Sequence, residues 1–470
     1  MIGRPARFAA ASKSMPLSLN HHGRNFRRSK QDRIPMTEPN IRADADPDNA
    51  SQRTRKIRTI AVTLLVLAGC VNYFDRAAVA VANPEIRAEL GLSYSEMGLL
   101  LSAFAWSYGL AQIPAGVLVD RFGPRRSLGV GMVLWSLAQI AGGAVTSLHQ
   151  FVAARIALGL GESPMYIGGT RVCADWFPSK QRALPIAIFN SSSALAPALA
   201  PPLLTILMLA HGWRVMFVIA GLAGFVVAIL WVIYYRSPRV AGISSAEIAH
   251  IHRDDGLSIE HVGWQQVLWL LRFPTTWGMF LGFFGVVYIS WLYATWLPGY
   301  LEIARNQSIA HAGIWAAVPL TAGFIGAIAG GVISDRLGRL GMDAAAACRR
   351  PVIVGLITAG ICTVAAGYVA DLWFAIALMS LGLFAANVSS SCGWALAAVI
   401  APVNAVATLE AIQNVGGSVG GALAPLISGT LLQRTGSFVP AFVLAGGIAL
   451  ACAAIYATMT TRKILATADI

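Results

Sequence analysis

The chain is short of charge. Only 12% of its 470 residues are Asp, Glu, Lys or Arg, where an ordinary soluble domain carries roughly 25%. Acids are the scarcer sign, 22 Asp+Glu against 35 Lys+Arg. With 56% hydrophobic residues, polar surface is too scarce to cover a water-soluble fold. This excludes a disordered chain and argues against a cytosolic globular enzyme. Cysteine is sparse as well. Cys70, Cys173, Cys348, Cys362, Cys392 and Cys452 lie in or beside apolar runs without any C-x-x-C pair. Neither a disulfide framework nor a zinc site is indicated. No histidine falls in the middle of an apolar run: His149, His211 and His311 stand at run ends. The short stretch Phe8–Ser12 is no secretory h-region, which needs about 7–15 apolar residues.

Long apolar runs are what the chain has instead. Twelve of them follow one another near 59–83, 94–119, 127–147, 149–174, 183–209, 213–235, 275–300, 310–334, 350–370, 372–399, 403–431 and 438–461. Each is long enough to cross a hydrocarbon core of about 30 Å as a helix. The expected fold is an all-α membrane protein with twelve transmembrane spans in two six-helix halves. The expected organisation is a basic, disordered tail over 1–58, halves over 59–235 and 275–461, a central loop over 236–274 and a short tail over 462–470. Residues 1–58 hold 13 Lys+Arg against 5 Asp+Glu. Because that tail leads into an apolar run, a membrane surface rather than nucleic acid is its expected partner. With the N-terminus inside, the inner loops carry 13 Arg or Lys and the outer loops 4. The positive-inside rule then places both termini in the cytosol.

A loop pattern occurs twice, 215 residues apart. Gly116-x-x-x-Asp120-Arg121-x-Gly123 joins spans two and three. Gly331-x-x-x-Asp335-Arg336-x-Gly338 joins spans eight and nine. Glycines that let helix ends approach, with an acid facing nearby cations, read as a gate latch released when two halves rock. The doubled loop resembles that of the major facilitator superfamily, whose halves are parallel repeats.

Few charges sit well inside the spans: Arg76 and Arg155 among the bases, Asp75, Glu162 and Glu410 among the acids. Charge at mid-membrane costs at least about 2.5–3.5 kcal/mol, and such groups face the bundle interior. Arg155 and Glu162, seven apart, project from one helix face about 10 Å apart. Asp75 and Arg76 are neighbours turned roughly 100° from one another. Arginine stays charged and offers a planar fork that fits a carboxylate, so Arg76 and Arg155 are candidates for holding an anionic substrate. Carboxyls in a dry cavity take up protons readily unless paired, so Asp75 and Glu162 are candidates for the coupled proton. The plainer alternative is an ion pair that pins span one to span four. Polar and aromatic residues fall in the same zone: Tyr73, Tyr108 and Gln112; Asn190 to Ser193; Trp291; Asn387, Ser391 and Trp394; Asn414. Trp296-Leu-Pro298-Gly-Tyr300 reads as an outer interfacial belt. Glu410 lies about two turns into span eleven, near the cytosolic surface.

From Thr59 to Met459 the chain resembles the anion:cation symporters of the major facilitator superfamily, proton-coupled organic-anion carriers such as galactonate, glucarate and hexuronate transporters. The resemblance rests on Asn72-Tyr73-Phe-Asp75-Arg76, Gln112-Ile-Pro114-x-Gly116, Arg155-x6-Glu162, Trp176-Phe177-Pro178-x3-Arg182 and Asn414-x-Gly416-Gly417-x2-Gly420-Gly421. It implies that Asp75 and Glu162 take protons and that Tyr73, Arg76, Tyr108, Arg155, Ser391, Trp394 and Asn414 line the substrate. Sugar-acid members usually carry Gln and an aromatic on span five, where this chain has Ser193-Ala194. A short hydroxyl replacing a long amide points to a bulkier or less hydroxylated carboxylate. The expected activity is import of an organic anion by proton symport and alternating access. The expected protein is a lipid-embedded monomer without cofactor, metal or nucleic-acid partner. A proton-coupled exporter and a non-transporting sensor on the same scaffold are the rival readings.

Overall fold

A computed structural model describes residues 52–178, 181–238, 240–243, 248, 251, 264–402 and 405–464. Most of the expected N-terminal tail, most of the central loop and the last six residues lie outside these. Helix α1 (Gln52–Val81) begins inside the stretch expected to be an unstructured tail. Short α2 (Asn83–Leu90) follows, then α3 (Tyr94–Gly142), α4 (Leu148–Glu162), α5 (Pro164–Trp176), α6 (Ala183–Asn190) and α7 (Ser192–Tyr234). After the central segment come α8 (Trp264–Leu270), α9 (Pro274–Ile303), α10 (Ile309–Arg339), α11 (Ala344–Tyr368), α12 (Leu372–Ile400), α13 (Val406–Thr435) and α14 (Val439–Met459).

These elements make the twelve expected spans with different joints. Spans two and three form one long α3 that turns at Gly123, whose φ of 77° and ψ of 159° suit glycine alone. Pro124, lacking an N–H to lose, opens the second arm. Spans five and six merge likewise in α7 at Gly212, φ 81°. Span four is broken at Ser163, between Glu162 and Pro164. Span five is broken at Ser191. Polar caps set several starts. Ser93 and Glu96 close a reciprocal capping box on α3. Ser308, Asp343 and Asp371 cap α10, α11 and α12.

Leu65, Leu128, Trp135, Trp176 and Trp231 belong to one apolar cluster, within the N-terminal half. A larger cluster fills the C-terminal half and also takes in Val81, Leu100, Phe151 and Phe217 of the N-terminal half. The halves are thus joined mainly at the end of the bundle away from Gln52 and Ile464. There Tyr94 N donates to Gln433 Oε1 at 2.9 Å and Ser102 Oγ donates to the Ala422 carbonyl at 2.6 Å. The contacts of α3 with α13 continue to Gln112, whose Oε1 accepts from Asn414 Nδ2 at 3.2 Å. Beyond that, toward the face carrying the termini, Gly116 has no neighbour within 4 Å of a Cβ position. Trp296 and Tyr300 are buried rather than lipid-facing and pack on Phe438. Their ring edges complete the second cluster, so the expected interfacial belt is an interior seam.

Candidate functional site

Four ionisable side chains, two from α1 and two from α4, meet inside the N-terminal half. Asp75 and Glu162 are fully buried, and Arg155 is 3% exposed. Glycine brings α4 close against α3 beside them: a Cβ at Gly159 would stand 2.8 Å from the Phe104 carbonyl. Arg76 Nε donates to Glu162 Oε2 at 2.8 Å, so the tie between spans one and four is real. The other two charges are not matched in this way. Arg155 Nη1 reaches only the Asp75 main-chain oxygen, at 3.4 Å, and its Nε has no hydrogen-bond partner. Neither carboxylate oxygen of Asp75 is hydrogen-bonded. A buried charge without a partner is costly. This arrangement holds one ion pair, made through a single Nε–Oε2 contact that leaves Arg76 Nη2 and Glu162 Oε1 unbonded, and two groups, Asp75 and Arg155, with no ion pair at all.

Aromatic rings frame the cations. The Arg76 guanidinium lies 4.8 Å from the Tyr73 ring, 4.8 Å from Phe104 and 4.7 Å from Tyr108. Arg155 lies over the same Phe104, at 5.1 Å. Such contacts hold a desolvated cation without neutralising it. Phe104 also stacks on Trp291 of α9 at 6.1 Å, so the ladder Tyr108–Phe104–Trp291 crosses between the halves. Phe104 was not singled out from sequence. Its spacing of four from Tyr108 places it on that face of α3, which is the signal that was available.

Between the halves lies a cavity of about 230 Å³. Tyr73, Arg76, Arg155 and Ser193 line it, as expected, together with Trp291, Phe324 and Asn387. Most of its wall is apolar, and among its lining residues only Arg76 and Arg155 are charged. The Ser193 hydroxyl donates to the Asn190 carbonyl at 2.7 Å, and Asn387 Nδ2 to the Leu383 carbonyl at 2.9 Å. The remaining substrate candidates stand outside that lining. Tyr108 stacks beneath Arg76, Ser391 Oγ donates to the Ala327 carbonyl at 2.7 Å, Trp394 meets Phe283 edge-on at 5.2 Å, and Asn414 pairs with Gln112. Glu410, half-buried near the start of α13, is not part of the cluster.

The doubled loop is built otherwise than its glycines suggest. Gly116, Gly331 and Gly338 approach no other helix, and Gly123 serves the turn through its positive φ. Asp120 takes its cation from Arg171 on α5, at 3.2 Å, not from Arg121 next to it. Arg171 in turn holds Asp175 at 2.9 Å. Adjacent helical residues point apart, so Arg121 cannot turn back on Asp120, whereas Arg171 on a packed neighbour can. Among the described residues, Asp335 and Arg336 form no ion pair at the exposed end of α10.

A bundle of twelve spans, halved around a central cavity that holds buried charges, defines a membrane transporter. The model of the Major Facilitator Superfamily matches residues 65–347, and the chain belongs to that superfamily. It is similar to the probable L-galactonate transporter of Escherichia coli K12, 37% identical over 427 residues covering 89% of this chain and 93% of that one. The D-galactonate transporter of Escherichia coli O6:H1 is 32% identical over 414 residues, covering 86% and 95%. These relatives bear out the resemblance drawn from the motifs. In fold, a bacterial homolog of the human lysosomal transporter Spinster aligns with a TM-score of 0.71 at 19% identity, covering 87% and 97%.

Proposed function

We propose that this protein imports an organic carboxylate together with protons, by alternating access, across a bacterial inner membrane with both termini in the cytosol. The observation that carries this reading is the unequal pairing of the four buried charges. Arg155, with Nε free and no carboxylate on it, has the fork to take a substrate carboxylate at the cavity wall. Asp75, unpaired, and Glu162, paired to Arg76, are the groups that hold and release protons. Protonation of Glu162 frees Arg76 to join Arg155 on the anion. Proton loss restores the pair and expels the cargo. The cation excess of the terminal loops and tails favours termini inside. On that orientation the structure is sealed outside and parted toward the cytosol. The relatives named for galactonate support the anionic cargo class.

The test is uptake by purified protein in liposomes with an acidic exterior. L-galactonate, D-galactonate and a panel of less hydroxylated acids are offered singly. Accumulation of at least one acid that follows the pH gradient and collapses with a protonophore is expected. Accumulation indifferent to the gradient contradicts proton symport.

A further inference from the structure

A second cavity, of about 500 Å³, lies on the outside of the C-terminal half. Helix α12 packs closely on both α10 and α11, while α10 and α11 barely touch each other. The gap between them is a groove floored by α12. Leu337, Val354, Leu381, Phe384 and Val388 line it. Val354 is 62% exposed and Leu381 49%, which in a membrane-spanning bundle is exposure to hydrocarbon. The opposite face of α12 carries Leu383 and Asn387 to the central cavity, so the groove is separate from the transport site.

One charged residue lines this apolar groove: Arg350. It is exposed and has no hydrogen bond or ion pair among the described residues. Its neighbour Arg349 is already committed to the Thr460 carbonyl at 3.1 Å. Arg350 lies about 9 Å along the axis from the start of α11, near the end of the span that carries the basic residues. From there to Thr358, another lining residue, the groove runs roughly 12 Å toward mid-membrane. Arg336 and Arg339 end α10 beside its mouth. The nearest acids are not on the wall: Asp343 caps α11 and faces Lys463 at 3.5 Å, and Asp335 is exposed on α10. A basic mouth over an apolar slot between spans fits an anionic lipid. The guanidinium fork fits a phosphate.

We infer that this groove binds one anionic phospholipid from the leaflet on the side of the termini, its phosphate on Arg350 and an acyl chain between α10 and α11 over Phe384. The test is native mass spectrometry of the full chain in detergent, titrated with dioleoylphosphatidylglycerol or dioleoylphosphatidylcholine. One phosphatidylglycerol is expected to be retained at least fivefold better than phosphatidylcholine. Arg350→Gln is expected to remove that preference. Val354→Trp, which fills the slot, is expected to remove the retained lipid. Arg350→Lys keeps the charge on a flexible stem and is expected to keep part of the preference, and Arg339→Gln most of it. Thermal unfolding in detergent confirms that each variant is folded. Equal retention of the two lipids overturns the assignment, as does a preference that survives Arg350→Gln in folded protein. So does displacement of the lipid by glycerol phosphate alone, since the acyl chain would then contribute nothing.

Discussion

Arg76 is bound to Glu162 at 2.8 Å, while Arg155, on the same helix as Glu162, has no carboxylate on its guanidinium. The two arginines are therefore not equivalent. Arg76 carries both an ion pair between α1 and α4 and part of the cavity wall. Arg155 carries no such pair, and its capacity for an anion is open.

Arg155→Ala should abolish uptake at low substrate while the protein still folds and purifies as a single species. Loss of a buried charge-assisted contact to the anion costs on the order of 2–5 kcal/mol, at least tenfold in affinity. Arg155→Lys should recover little, because an ammonium cannot present the fork. Arg76→Ala should be the less stable of the two alanine variants, since it leaves Glu162 buried without its cation. Thermal unfolding and binding by calorimetry separate the two effects.

The halves, the twelve spans and the five intramembrane charges are all legible in the sequence, because a charge in a 20-residue apolar run is visible without any tertiary knowledge. Which acid meets which arginine is not. Asp75 adjoins Arg76 in the chain yet leaves it to Glu162, since adjacent residues on a helix point apart. The role of Phe104 and the Asp120–Arg171 pair also depend on how neighbouring helices pack. A glycine in a loop motif does not disclose whether it serves a close approach or a positive φ. At Gly116 it serves no close approach, and at Gly123 it serves the turn.

Gly123→Ala tests that last distinction. A Cβ there meets no neighbour within 4 Å, so the cost is backbone strain alone. Gly116→Ala, on a helical backbone in open space, should be close to neutral. Holding alanine in a region reserved for glycine should cost about 1–3 kcal/mol. Comparing the two variants by thermal unfolding in detergent checks it. Equal stability would mean the turn can relax.

Glu89 on α2 should make the face away from the termini acid-sensitive. It accepts from Trp213 Nε1 at 2.6 Å and from Arg214 Nε at 2.9 Å, and these bonds hold its carboxyl below the usual carboxylate range. A depressed pKa contributes stability that is complete above the unfolded value, near 4.3. It is lost as pH falls through the lower folded value. Because Glu89 is half exposed, the contribution should be about 1 kcal/mol or less. Glu89→Gln should lower the melting temperature slightly at pH 7, and the gap to wild type should close toward pH 3.

Under the proposed carboxylate import, Ser193 is expected to select the cargo. Its hydroxyl proton is taken by the Asn190 carbonyl at the end of α6, which leaves it acceptor capacity only, and sugar hydroxyls placed there beyond what it can accept would lose water without gaining partners, at roughly 1–3 kcal/mol each. In competition uptake, a less hydroxylated carboxylate should inhibit better than galactonate or glucarate of similar size. Ser193→Gln should shift that order toward the sugar acids. A hexonate that outcompetes every aromatic and short-chain acid in the wild type would show that this serine does not exclude them.

Proton coupling through Asp75 and Glu162 is tested most directly by comparing two modes of transport in the same proteoliposomes. Glu162→Gln mimics the protonated acid, so it should exchange labelled substrate in counterflow at a rate within a few-fold of wild type. Under an inward proton gradient it should fail to concentrate that substrate. Asp75→Asn should likewise lose concentration. Concentrative uptake by Glu162→Gln equal to that of wild type would contradict the account.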